Sequence, residues 1–222
     1  VIDSGLQMMG GYGFIEEYTM ATLYRDCRID RIWEGTNEIN RQIITGYIMK
    51  KALMEELPIQ GAIREIEQYM KNGELEAESE ILLAESNVVE TSKRLALYLL
   101  NEGICEFGQD LKHQQQIADI LANIFMDIYV AESTVLRAKK MLGNPTSHPS
   151  VEGVAKIFVA EMAQQMVQLA ETALKGIYNG DLSPLMHENL NAFRSRLYLP
   201  TNTIGLKREI AAYAYSKKCY PY

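Results

Sequence analysis

The sequence predicts an all-α fold, on three observations. Long stretches repeat apolar residues at i, i+3 or i+4, and i+7, the stripe by which a helix buries one face. No segment sustains the period-two alternation of a half-buried strand, so essentially no sheet is expected. Glycine and proline punctuate the chain near Pro58-Gly61, Gly143-Pro145 and Gly180-Pro184, where they end striped segments.

The elements follow in order. Residues 3–13 read as a helix end, with Gly10, Gly11 and Gly13 supplying left-handed or closely approached backbone. Glu16 to Asp30 reads as helix, with Leu23 and Ile29 on one side and Arg25, Asp26 and Arg28 on the other. Gly35 breaks the chain, and Thr36 is placed to cap a helix from Asn37 to about Leu53, striped by Ile39, Ile43, Ile44, Tyr47 and Ile48. Pro58 and Gly61 mark a boundary, and the short stretch Ile63 to Met70 leads into a turn at Lys71-Asn72-Gly73. Three long helices are expected next, from Ala77 to about Asn101, from about Asp110 to Leu142, and from Val151 to Tyr178. Shorter ones should run from Leu185 to Leu197 and from about Leu206 to Ser216, separated by Pro200.

Bulk properties exclude several classes. A net charge of −7 argues against a nucleic-acid partner, because phosphate binding needs a basic face. Arg137-Ala138-Lys139-Lys140 fits the solvated last turn of a helix better than a phosphate site. Three scattered cysteines, Cys27, Cys105 and Cys219, give neither a disulfide framework nor a zinc site and point to a reducing compartment. His113, His148 and His187 stand far from acids at metal spacing, so no metal is expected, and Met141, Met162 and Met166 read as core filler. No run of eighteen apolar residues occurs, and no helix pairs a strong apolar face with a Lys/Arg-rich one, so membrane binding is not expected. The chain opens at Val1 without an apolar leader and reads as a piece of a longer protein.

Chemistry concentrates in the first fifty residues. Gly10-Gly11-Tyr12-Gly13 offers bare backbone N–H groups to a flat ring or a phosphate, or else simply caps a helix. Glu34, 27 residues beyond Gln7, sits between Trp33 and Gly35. Glycine leaves the carboxylate accessible, and an aromatic neighbour strips water from it, which favours work as a base. The same glutamate also suits the first turn of the next helix, where the dipole favours an acid. The residues alone leave both readings open.

Gln7-Met8-Met9-Gly10-Gly11-Tyr12-Gly13-Phe14, then Tyr24-Arg25-Asp26, then Ile32-Trp33-Glu34-Gly35-Thr36-Asn37-Glu38-Ile39-Asn40-Arg41 resembles the C-terminal signature of acyl-CoA dehydrogenases, in order and at family spacing. The resemblance implies that Glu34 is the base that removes the α-proton of an acyl-CoA thioester while the β-hydrogen leaves as hydride to the flavin of FAD. It implies that the Glu34 backbone N–H helps polarise the thioester carbonyl, and that Gly35 contacts substrate. Thr36 and Glu38 match positions that hold the FAD of the same subunit. Gln7, Gly10 and Gly11 match positions at the FAD of a neighbouring subunit, which implies a homodimer. Arg25 and Asp26 match a pair read as bracing the corner, and Trp33 stands where Tyr or Phe is more usual.

The resemblance divides the chain into residues 1–55, the end of the catalytic helical domain, and 56–222, a helical extension similar to that of very-long-chain members. That extension is expected to cover the face by which other members pair dimers. The whole enzyme is expected to dehydrogenate fatty acyl-CoA at α,β and to pass electrons to electron-transferring flavoprotein, in the cytoplasm or, in a eukaryote, the mitochondrial matrix. The chain by itself is expected to be inactive and free of FAD. Two other readings are a non-catalytic scaffold module and a flavin oxidase or monooxygenase relative, and an intact Glu34 counts against both.

Overall fold

The computed structural model describes residues 1–72, 81–145 and 147–217, without the side chains of residues 60, 67 and 70–72. Ten α-helices account for the described chain: α1 (Ile2–Met9), α2 (Gly11–Phe14), α3 (Thr19–Ile29), α4 (Asn37–Leu53), α5 (Ile59–Asn72), α6 (Leu83–Phe107), α7 (Gln115–Leu142), α8 (Ser150–Ile177), α9 (Pro184–Leu197) and α10 (Thr203–Lys217). A 3-10 turn, Gly108–His113, joins α6 to α7, and no strand occurs among the described residues. The all-α expectation holds.

Two compact units divide the chain, Val1–Ile44 and Thr45–Tyr222, so the division falls inside α4. The sequence boundary at 55/56 marks where the signature ends, whereas compactness follows the side chains of α4. Thr45 and Met49 are buried, and the Thr45 hydroxyl donates to the Ala118 carbonyl at 2.7 Å, so this half of α4 belongs with the second unit.

The first unit is α1, α2, α3 and the start of α4. Its buried residues are few, Gly13 and Ala21, while Met8 (83%), Phe14 (77%), Trp33 (57%) and Ile43 (61%) stand exposed. Apolar side chains left open at this density are a surface awaiting cover rather than a finished core.

The second unit is a bundle centred on α6, α7 and α8. Leu95, Leu99, Leu121, Ile124, Val159, Met166 and Leu174 are fully buried between these helices, and α9 adds Phe193. Met162 and Met166 lie in that core, as their stripe predicts. Helix ends are written in local chemistry. Asn179 (φ 52°) and Gly180 (φ 85°) close α8, with the Gly180 N–H donating to the Lys175 carbonyl at 2.8 Å. Ser183 caps α9 by accepting from the Met186 N–H at 3.2 Å, with Pro184 in the first turn.

Several expected bounds differ: α3 starts at Thr19 rather than Glu16, α10 at Thr203 rather than about Leu206, and three others shift for local reasons. Gly61 lies inside α5, which starts directly after Pro58, because proline suits the entry of a helix and glycine weakens its interior without ending it. The helix expected to stop at Asn101 continues to Phe107, where Gly108 (φ 55°) ends it. The next helix starts at Gln115, since residues 108–113 adopt the tighter 3-10 turn. The expected start at Ala77 and Cys219 lie outside the described residues; Cys27 and Cys105 are free thiols. Among the described residues no helix is long and apolar enough to cross a membrane.

Candidate functional site

The corner between α3 and α4 is a seven-residue connection, residues 30–36. Beyond α3 the backbone tightens, with the N–H groups of Ile32 and Trp33 both donating to the Ile29 carbonyl, at 2.8 and 3.2 Å. Glu34 (φ 56°) and Gly35 (φ 88°) then take consecutive left-handed conformations. For glutamate this region costs about 1–2 kcal/mol, and such strain gathers where the surrounding structure fixes a functional geometry. The Asn37 N–H donates back to the Arg31 carbonyl at 3.2 Å and closes the loop.

Thr36 caps α4 as expected, its hydroxyl accepting from the Ile39 N–H at 3.4 Å and its carbonyl from the Asn40 N–H at 2.9 Å. Glu38 follows in the first turn. Its own backbone N–H, then the Thr36 hydroxyl, hold its carboxyl below the ordinary glutamate range, with Arg41 and Arg28 adding to the effect. Among the described residues the N–H groups of Glu34, Gly35 and Thr36 donate to no backbone carbonyl, so three successive donors of the corner lie outside the backbone hydrogen bonding just before α4.

Gln7, Gly10 and Gly11 lie at the α1–α2 turn. The Gln7 carbonyl accepts from the Gly10 N–H at 3.2 Å, and Gly10 takes a positive φ (58°) with ψ −139°, a conformation that favours glycine. A Cβ placed on Gly10 or Gly11 would meet nothing within 4 Å, so open space lies beside both. Gly13 is different: a Cβ there would stand 2.5 Å from the Leu6 carbonyl oxygen, so α2 needs glycine to lie against α1. One cavity in this unit, about 480 Å³, is lined by Leu6, Phe14, Ala21, Tyr24 and Arg25 among others, and by none of the predicted site residues.

The structure thus gathers Glu34, Gly35, Thr36 and Glu38 on one corner and Gln7, Gly10 and Gly11 on one turn. Two sequence expectations change. Glu34 and Trp33 are both exposed, so the chain itself does not strip water from the carboxylate. Arg25 pairs with Glu16 at 3.6 Å, both well exposed, rather than with the corner. Sequence reasoning also passed over Asn40, whose Nδ2 donates to the Gly35 carbonyl at 2.9 Å. An asparagine one helical turn past a Thr cap is the only trace of it in the sequence.

Comparison with known proteins bears on this geometry. Residues 1–49 and residues 91–191 each match a family model described as the C-terminal domain of acyl-CoA dehydrogenase. A probable acyl-CoA dehydrogenase of Bacillus subtilis (strain 168) is 34% identical over 99% of this chain and 37% of its own length. The caffeyl-CoA reductase-Etf complex subunit CarC of Acetobacterium woodii is 46% identical over 46 residues, 21% of this chain and 12% of its own length. The crystal structure of an acyl-CoA dehydrogenase complexed with FAD from Bacillus anthracis superposes with a TM-score of 0.87 at 30% identity, covering 97% of this chain and 37% of that one. The chain therefore spans little more than a third of the full-length relatives it matches along its whole length. With two models of this one family over most of its residues and a relative 34% identical along 99% of it, the chain belongs to the acyl-CoA dehydrogenase family.

Proposed function

We propose that this chain supplies the catalytic base and part of the flavin cradle of an FAD-dependent enzyme that introduces an α,β double bond into fatty acyl-CoA thioesters. The observation that carries the reading is the corner itself. Glu34 is held left-handed beside Gly35, exposed, with three open N–H donors running into the start of α4. A thioester α-proton becomes removable only when the carbonyl is polarised, and here a carboxylate acceptor and free N–H donors share one turn. The Glu34 carboxylate takes the α-proton, its backbone N–H donates to the thioester oxygen, and Gly35 leaves room for the acyl chain. The bound FAD supplies the acceptor for the β-hydrogen and its electron pair.

The residues fit that cofactor. Thr36 and Glu38 stand at the start of α4, directly after a corner whose N–H groups make no backbone hydrogen bond, and Glu38 stays ionised as a hydrogen-bond acceptor. Gln7, Gly10 and Gly11 offer uncovered backbone to the FAD of a second subunit, which makes the enzyme a homodimer. Electron-transferring flavoprotein is the proposed electron acceptor. The relative named as a subunit of an Etf complex supports this, and the proposed location is the cytoplasm or, in a eukaryote, the mitochondrial matrix.

Glu34→Gln in the complete enzyme is expected to lower turnover by about 10²–10⁴-fold while flavin absorbance is retained. Near-normal turnover in that variant would move the base elsewhere. The chain alone, with the apolar face of its first unit uncovered, is expected to purify colourless and inactive. Flavin bound near stoichiometrically would contradict this.

A further inference from the structure

The corner that presents Glu34 is held by a side chain with no role in the reading above. Asn40 lies on the first turns of α4, and its Nδ2 donates to the Gly35 carbonyl at 2.9 Å while its own backbone N–H closes the first helical bond to Thr36. A carbonyl oxygen only accepts, so the amide must present nitrogen to it. The other arm of the amide, Oδ1, lies 3.0 Å from where a Gly35 Cβ would stand. One side chain therefore ties the Gly35–Thr36 peptide to the rigid helix and at the same time crowds the place of a Cβ at Gly35, whose φ of 88° already favours glycine.

We propose that Asn40 is a positioning residue for the base: through the Gly35 carbonyl it fixes the left-handed Glu34–Gly35 turn and so the direction of the carboxylate. The inference rests on the reading of Glu34 as base. The Thr36 cap and the Asn37–Arg31 bond secure the backbone on the far side of Gly35. The Asn40 side chain alone among these contacts engages Gly35, the residue directly after Glu34. Left-handed glutamate is intrinsically disfavoured, so releasing that carbonyl lets the turn relax and swings the carboxylate away from one substrate-ready direction.

The test uses the complete flavin-loaded enzyme with saturating and limiting acyl-CoA, protiated or deuterated at the α-carbon. Asn40→Leu keeps the number and branching of side-chain heavy atoms while removing the donor, and improves helix propensity, so α4 itself should not suffer. The expected result is a fall in kcat of about 10- to 100-fold, with KM within about twofold, flavin retained, and a larger α-deuterium isotope effect on kcat. Asn40→Gln, which keeps an amide donor, should recover part of the loss. If Asn40→Leu does not assemble, Asn40→Ala carries the same expectations. Wild-type kcat and isotope effect in these variants, with Glu34→Gln inactive, would overturn the role of Asn40 alone. Activity in Glu34→Gln would overturn the base assignment itself.

Discussion

The three glycines of the α1–α2 turn look alike in sequence and do different work. A Cβ on Gly13 would press to 2.5 Å on the Leu6 carbonyl oxygen, a backbone atom that cannot swing aside. Gly13→Ala is therefore expected to destabilise the first unit by about 1–3 kcal/mol, seen as loss of amide-exchange protection across α1 and α2. Gly11→Ala meets nothing within 4 Å and should leave that protection unchanged, yet it should weaken flavin retention in the complete enzyme if bare backbone there faces the cofactor. Matching effects of the two variants on both readouts would refute this separation. The motif thus told where to look without telling which glycine the fold needs. Glu34 was legible for the same reason, as a residue type at a spacing. The left-handed backbone beneath it and the Asn40 tie were not, because φ angles and a five-residue side-chain contact leave no periodic signal.

At the scale of elements, periodicity located α7 to α10 within a few residues, except where local packing shifts an end. Gly103 did not stop α6 because it sits against the Leu111 side chain, where a Cβ would approach to 3.1 Å; it is a close-packing glycine rather than a breaker. Stripes also say nothing of a polar residue on the margin of a buried face. Asp127 on α7 is half-buried between Met126 and Ile128, and burial pushes its carboxyl above the ordinary aspartate range. A raised folded-state value means stability is fully present below the unfolded pKa, near 3.9, and declines as pH rises past it. Asp127→Asn should therefore raise the unfolding free energy measured in urea at pH 7, by less than about 1 kcal/mol given the exposure that remains. The gain should vanish near pH 3. An equal gain at both pH values would mean that the effect is not one of ionisation.

At the scale of the molecule, the chain carries a complete core and an open face in different places. The second unit buries its own apolar residues on α6 to α9, whereas the first leaves Met8, Phe14 and Ile43 to be covered by something else. On this contrast, the second unit is expected to fold by itself, whereas the first is expected to need a covering surface. It also bears on assembly. If the bundle covers the face by which other family members join dimers, the complete enzyme shortened after Leu57 should pass from dimer to a discrete tetramer in sedimentation. The cut also uncovers Met49 and half-buried Ile48, which alone would give only indiscriminate association. A discrete tetramer whose formation survives Met49→Gln supports the covering role. An unchanged dimer, or aggregation that Met49→Gln abolishes, overturns it, because the bundle would then shield nothing beyond its own side of α4.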